Sequence, residues 1–539
     1  MIVSDINRRA LMAALARGGL AGLALHGSFA LKAAGLADRR HVEEKPHFIQ
    51  DPFRLGVAAG EPLSDGFVIW TRLAPEPLAP HGGMSPVPVR VLWEIAEDEG
   101  FRTVVRRGDA IAHPELAHAV HVEVEGLRPH RLYHYRFIAG DVRSPAGCAR
   151  TLPVAGAPVE RLRFVAAGCQ HYEEGLYTNW RHIAGEAPDF VFHYGDYIYE
   201  GADTGDRPRA LYGQPFSPVR RHGTAEPVSL DDYRQRYALY KSDTDLQAAH
   251  AACAFFVSFD DHEVDNNWAG LFDQDGTPPE VFALRRAAAF QAFYEHMPLR
   301  RSSMPQNGEM RMYRGARFGD LMDAWFLDTR QYRSDQPCGD GVKPLCAEIM
   351  SPERTMLGVA QQAWLLGGLQ RGKACWNLIA QQVMMMHLDA RRDPLQAERY
   401  YATDTWSGYL NERERLLYHI DALGLRNVAI VTGDSHQHFV GDVKLERAPE
   451  HVVASEFLAT SISSGADGTG DLPHTALWHR NNDHLKFMCN RRGYVLCSVD
   501  REVWRSDMCI IDTVERSNGN VSTLASYVLE QGQRGVQLA

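Results

Sequence analysis

Four short segments of the sequence carry side chains suited to chemistry. They are Gly168-Cys169-Gln170-His171, Gly195-Asp196-Tyr197-Ile198-Tyr199-Glu200, Asp260-Asp261-His262-Glu263 and Gly433-Asp434-Ser435-His436-Gln437-His438. Thiol, phenol, imidazole and carboxylate together supply both soft and hard donors for a transition metal, and the surplus carboxylates suit a second, harder cation. Each segment alone has an ordinary reading. A buried cysteine is usually a small apolar residue. A Gly-Asp pair after a strand is usually a turn, Asp-Asp-His-Glu fits a solvated helix start, and a single histidine such as His436 fits a core position. Their combination points to a metal cluster, because carboxylates gathered at one edge repel one another unless a cation lies among them.

The elements that must position these groups are strands. Each segment follows an apolar run: Leu162-Arg163-Phe164-Val165-Ala166-Ala167, Asp189-Phe190-Val191-Phe192-His193, Phe255-Phe256-Val257-Ser258-Phe259, and Asn427-Val428-Ala429-Ile430-Val431. In open α/β sheets ligands bind beyond the carboxyl ends of strands, and a preceding glycine lets the chain turn sharply there. Two more strands are expected at 321–327 and 377–380, with helices between. The clearest helix is expected over 352–370, with Ser351 as N-cap and Pro352 at the first helical position. Residues 159–530 therefore read as an α/β layered domain with a largely parallel sheet. Residues 48–153 read differently. Short runs rich in β-branched and aromatic residues, such as Val87-Pro88-Val89-Arg90-Val91-Leu92-Trp93 and Tyr133-His134-Tyr135-Arg136-Phe137, alternate with Gly/Pro/Asp turns. That pattern predicts an all-β sandwich of fibronectin or immunoglobulin type, joined through Ala155-Gly156-Ala157-Pro158.

Composition narrows the function classes. The 539 residues are 45% hydrophobic and 23% charged, which excludes a disordered or fibrous chain. A net charge of −11 argues against non-specific nucleic-acid binding. Beyond the N-terminus no apolar run reaches membrane-spanning length. The nine cysteines are too dilute for a disulfide scaffold, although Cys338 and Cys346 bracket a Gly/Pro loop and could pair. Residues 1–37 have a paired Arg8-Arg9, a weakly apolar middle and a small-residue end at Ala37. This resembles a twin-arginine (Tat) signal peptide, and an amphipathic helix is the alternative. The signal predicts Tat-machinery export to the periplasm or beyond in a bacterium, a route used by proteins that fold before crossing.

The strand-Gly-Asp, Asp-His-Glu and Gly-x-x-His arrangement resembles the metallophosphoesterase superfamily. Within it, Gly195-Asp196-Tyr197-Ile198-Tyr199-Glu200, Asp260-Asp261-His262-Glu263-Val264-Asp265-Asn266-Asn267-Trp268, Leu327-Asp328-Thr329-Arg330-Gln331-Tyr332-Arg333 and Glu456-Phe457-Leu458-Ala459-Thr460-Ser461-Ile462-Ser463-Ser464 look like the PhoD alkaline phosphatase family. The resemblance implies a four-layer α/β sandwich behind the β module. It implies Fe(3+) held by Cys169, Asp196, Tyr199 and His436, with Asp196 bridging to a second site that adds Asp261 and Asp434. The wider superfamily has asparagine and histidine at those last two positions; the replacements here favour a harder cation, Ca(2+) in this family. Gln382 is a further candidate ligand, and Asp260, Asn267 and His438 are candidates for ligation or support. His262 and Asp261 are the implied catalytic pair, with His262 beside the phosphate. The implied reaction is in-line hydrolysis of phosphate monoesters by a metal-activated hydroxide. One departure stands out. Relatives place an arginine just after the Tyr-Glu pair, whereas Gly201-Ala202-Asp203 follows here, leaving Arg207 or Arg209 to reach the phosphate.

A phosphodiesterase, including a phospholipase-D-like enzyme, would use the same metal ligands and is the main alternative. A serine hydrolase lacks its Gly-x-Ser-x-Gly elbow, and Gly465-Ala466-Asp467-Gly468-Thr469-Gly470 lacks the strand and helix of a dinucleotide site. A non-catalytic exported binding protein would not be expected to keep Cys169, Asp196, Asp261, Asp434 and His436. The expected partners are small-molecule phosphate esters.

Overall fold

A computed structural model describes residues 42–205, 209–211 and 214–539. The expected signal at residues 1–37 and Arg207 lie outside these residues. Two large sheets form the centre. The ten-stranded sheet is built around four parallel strands in the spatial order Arg161–Ala167, Phe190–His193, Ala254–Val257 and Val57–Leu63. The eight-stranded sheet is built around Met322–Phe326, Trp376–Ala380, Val428–Thr432 and Ala448–Leu458, again parallel. Antiparallel strands extend both.

Strand alternation explains the layering. Phe164, Phe190, Phe192 and Phe256 face Met322, Phe326, Trp376, Leu378 and Val431 between the sheets. The intervening Val165, Val191, Phe255 and Val257 face the other way. They pack under the helices Thr178–Glu186, Leu230–Lys241, Thr244–Ala252 and Pro279–His296. On the far side Trp325, Ile379 and Ile430 pack against Gly358–Arg371 and Leu410–Ala422. Strands covered on both faces read as near-continuous apolar runs, as the central stretches of these do. The result is a helix–sheet–sheet–helix sandwich of four layers.

The N-terminal strands form the expected β structure with one addition. Val57–Leu63, Gly66–Arg72 and Ala119–Val124 pack on a five-stranded sheet through Val57, Ile69, Val91, Ile95, Tyr135 and Phe137. They also continue the ten-stranded sheet, because Ala59 and Gly60 pair in parallel with Ala254 and Phe255. The two halves therefore share one hydrogen-bonded sheet across residues 153–159.

The helix expected over 352–370 begins later, at Gly358. Its predicted first turn is made of turns and bends because its amides are taken by side chains. The Gly358 amide donates to Thr355 Oγ1 at 2.8 Å, and the Met356 amide to the Glu412 carboxylate. Leu357, not Ser351, is the N-cap of this helix. Cys338 and Cys346 are disulfide-bonded. Among the described residues no helix is long and apolar enough to cross a membrane.

Candidate metal centre

The loops after six of the parallel strands converge at one end of the two sheets. Glycines allow the approach. Tyr194 wedges between two of the loops, and a Cβ on Gly168 or Gly433 would stand 2.5 or 2.1 Å from its ring. The residues that follow these turns are held in left-handed backbone conformations: Cys169 at φ 51°, Asp196 at 54°, Asp434 at 68° and His436 at 57°. Such φ values are costly for side chains other than glycine and gather at functional sites. Cross-loop hydrogen bonds enforce them. The Cys169 amide donates to the Gly195 carbonyl and the Gln170 amide to the Asp196 carbonyl, both at 3.0 Å. Buried Glu263 accepts from the amides of Asp196, Tyr197 and Asp260 at 3.2, 2.5 and 2.8 Å.

Three groups of donors result, each with its ligand atoms within 4.8 Å of one another: Cys169–Asp196–His436, Asp196–Asp261–His262 and Asp260–Asp261–Asp434. Asp196 belongs to the first two and Asp261 to the last two. Tyr199 joins the first. Its phenol donates to Asp196 Oδ2 at 2.8 Å and lies 2.9 Å from His436 Nε2.

The electrostatics favour a cation. Burial, and then the Asp261 charge, push the Asp196 carboxyl well above its ordinary pKa. Burial and then Asp260 do the same to Asp434. Burial lifts Asp260 to about 6 despite Arg330. Burial followed by Asp196 raises both the Cys169 thiol and the Tyr199 phenol. Moreover, Asp196 Oδ1, Asp260 Oδ2 and Asp261 Oδ1 are buried with no hydrogen-bond partner among the described residues. Unpaired buried carboxylate oxygens are expensive. Thiol, phenol, imidazole and carboxylate around Asp196 fit a transition-metal ion, and the carboxylates around Asp261 fit a hard one.

Several residues that the spacing did not reveal complete the site. Glu200 accepts from the Asn266 amide at 3.0 Å, and its Oε2 lies 2.7 Å from His262 Nδ1. The His262 ring packs 4.2 Å from that of Tyr199, and its Nε2 stands 3.9 Å from Asp261 Oδ2. Burial opposes its charge, but Asp261, Glu200 and Asp196 together hold the imidazolium pKa well above 6.5. Fully buried Arg330 reaches Asp260 at 2.5 Å, Asp404 at 3.0 Å and Asp434 at 3.4 Å. Buried Arg236 grips the Tyr199 carbonyl and, at 3.0 Å, the Gly201 carbonyl. Arginines embedded among carboxylates have no fixed sequence separation from them, so no local pattern marks them.

Two candidates do not reach the centre. Both ends of the Gln382 amide are engaged elsewhere: Oε1 accepts from the Thr329 amide at 3.0 Å and its hydroxyl at 2.6 Å, and Nε2 donates to the Leu327 carbonyl. His438 Nε2 lies 3.0 Å from the Cys509 carbonyl, and its Nδ1 accepts from the Thr460 amide. Both pin strand ends together. Asn267 supports the acidic side instead, its backbone N–H donating to Asp261 Oδ2 at 2.8 Å. Arg209 opens a short strand, Arg209–Leu211.

Comparison with known proteins places the chain in a family. Residues 164–508 match the PhoD-like phosphatase family, and residues 38–153 match its N-terminal domain. The chain is 43% identical over 522 residues to alkaline phosphatase D of Bacillus subtilis (strain 168), covering 96% of this chain and 87% of the relative. It superposes on the solved structure of PhoD with a TM-score of 0.88 and 44% identity, covering 92% and 93% of the two chains. A purple acid phosphatase from yellow lupin (Lupinus luteus) seeds gives a TM-score of 0.54 at 12% identity over 88% and 74% of the chains, a likeness of fold alone. The chain belongs to the PhoD-like phosphatase family, enzymes that hydrolyse phosphoric esters.

Proposed function

We propose that the protein is an exported alkaline phosphatase that hydrolyses phosphate monoesters with two kinds of cation, Fe(3+) and Ca(2+). The observation that carries this reading is a chain of shared acids: Asp196 links the group with Cys169 and His436, beside the Tyr199 phenol, to Asp261 and His262, and Asp261 in turn belongs to the carboxylate group with Asp260 and Asp434. Anionic thiolate and phenolate suit a ferric ion at Cys169, Asp196, Tyr199 and His436. Carboxylates alone suit calcium at Asp196, Asp261 and Asp434. When bound, such a cation pair polarises the phosphoryl group and lowers the pKa of a water.

The chain's own residues do the rest. Glu200 fixes the His262 ring through Nδ1, leaving Nε2 toward the acidic face. Charge from Asp261, Glu200 and Asp196 keeps that ring protonated against its burial. It therefore donates to a phosphate oxygen and supplies the proton to the departing alcohol oxygen, which leaves opposite the attacking water. Arg236 holds the Gly201 turn that rims the site. The Arg8-Arg9 pair supports Tat export to the periplasm or the medium.

Hydrolysis of p-nitrophenyl phosphate at alkaline pH tests this. Turnover should vanish with chelator and return with calcium, and the bis-p-nitrophenyl diester should be cleaved more slowly. Faster diester cleavage would make the enzyme a phosphodiesterase. Chelator-resistant turnover would remove the exchangeable cation.

A further inference from the structure

The Glu456-to-Ser464 motif has no role in the chemistry described above, yet its end runs along the sulfur-and-phenol side of the centre. Residues 460–464 follow the strand Ala448–Leu458 and are fully buried. Thr460 Oγ1 donates to the His436 carbonyl at 3.1 Å, and Ser463 Oγ to the His171 carbonyl at 2.9 Å. The Ser464 amide donates to the Cys169 carbonyl at 3.2 Å. The Ser464 hydroxyl stands 2.6 Å from the phenol oxygen of Tyr199, 3.0 Å from the Cys169 carbonyl and 3.2 Å from the His171 amide nitrogen. Buried Arg492 grips the Ser464 carbonyl and donates to Ser461 Oγ at 2.6 Å, fixing the turn from behind.

We propose that Ser464 is a positioning residue that aims the Tyr199 oxygen into the centre and sets its donor strength by a hydrogen bond. This rests on the reading that Tyr199 ligates ferric iron. A phenol that binds a cation gives up its proton, and its bonds to Asp196 and His436 can then no longer be donated by Tyr199. Ser464 can take over. It accepts from the His171 amide and directs its single proton at the phenolate rather than the Cys169 carbonyl. Hydrogen bonds to ligand atoms orient ligands and tune metals in this way. A donated bond draws charge from the phenolate oxygen and raises the energy of its charge transfer to iron.

The test compares iron-loaded parent enzyme, Ser464→Ala, Ser464→Thr and Ser461→Ala by visible absorption, iron content and kcat. Ser464→Ala should keep its iron, move the tyrosinate-to-iron band to longer wavelength and lower kcat about tenfold with little change in KM. Ser464→Thr keeps the hydroxyl and should restore the band. Ser461→Ala, which loosens the same turn without touching Tyr199, should leave the band in place. An unmoved band in iron-replete Ser464→Ala, or equal shifts in both alanine variants, would overturn the proposal. If Ser464→Ala does not fold, the parent decides by resonance Raman: the phenolate C–O stretch should shift in D2O, and no shift overturns the proposal. No tyrosinate band in iron-loaded parent enzyme would instead remove the Tyr199–iron reading, and this inference with it.

Discussion

The two sides of the centre are compensated in opposite ways. Around Asp260, Asp261 and Asp434 the protein supplies its own cation, Arg330, fully buried and within 3.4 Å of two of these acids and of Asp404. Around Cys169, Asp196, Tyr199 and His436, among the described residues, no arginine or lysine is paired with a donor atom: Arg236 grips only the Tyr199 carbonyl, the His262 ring lies on that of Tyr199, and the phenol oxygen meets the hydroxyl of Ser464. The acidic side is thus partly neutralised before any ion arrives. The sulfur-and-phenol side keeps its groups uncharged through burial, the thiol, phenol and Asp196 carboxyl protonated and the His436 imidazole neutral, and depends on an ion to charge the first three. One side should resist ion loss in stability, and the other should show it in spectrum and activity.

The widest break in this contrast is Asp196→Ala, which removes the residue common to both sides. It should lower kcat at least a thousandfold while the circular dichroism spectrum stays native. Near-parental activity would remove Asp196 from the centre. Next comes Arg330→Met. Leaving Asp260 and Asp434 without their buried partner, while Asp404 keeps Arg333, should cost about 3–5 kcal/mol in urea unfolding. Added calcium should recover part of that loss, and more than it adds to the parent, because binding to the folded state alone stabilises it. An unchanged urea midpoint would mean that the carboxylates do not need the arginine.

Lys241 sharpens the comparison, as a buried basic group with no carboxylate paired to it among the described residues. Its ammonium lies 4.3 Å over the Trp70 ring and 3.2 Å from Tyr197 Oη, and burial pulls its pKa to about 7. Above pH 7 the folded chain holds it neutral while the unfolded chain stays protonated up to about 10.5. The penalty is therefore fully present below pH 7 and relieved as pH rises toward 10.5. Lys241→Met should stabilise the protein by about 2 kcal/mol near pH 7. Its gain should shrink toward pH 10, and a pH-independent gain would contradict the assignment. The smallest expected effect is that of Glu200→Gln, about a tenfold loss of kcat. Without the Glu200 charge the His262 pKa falls, so the alkaline limb of the kcat profile should move to lower pH. An unmoved limb would detach His262 from proton donation.

How far the site was legible follows from where its information lies. The donors at Cys169, Asp196, Asp261, Asp434 and His436 were readable because each follows a strand within a few residues, and strand ends gather at one edge. Arg330, Glu200 and Ser464 act on residues up to 265 positions away, and no periodicity encodes such a pairing. Gln382 looked suitable by position, yet Thr329 and Leu327 occupy its amide. The layered fold was readable from doubly apolar strands. The continuation of the ten-stranded sheet into Val57–Leu63 was not, because parallel pairing of Ala59 with Ala254 joins segments far apart in sequence. The helix start at Gly358 was missed for a related reason: the acid that captures the Met356 amide is Glu412, 56 residues later.

The most direct test of a shared, two-sided centre is anomalous X-ray scattering from crystals of the purified enzyme, at the iron edge and at a longer wavelength for calcium. We expect an iron peak bounded by Cys169, Asp196, Tyr199 and His436, and a calcium peak beside Asp261 and Asp434, with Asp196 touching both. A single ion on the acidic side, with Cys169 and Tyr199 left unligated, would contradict it.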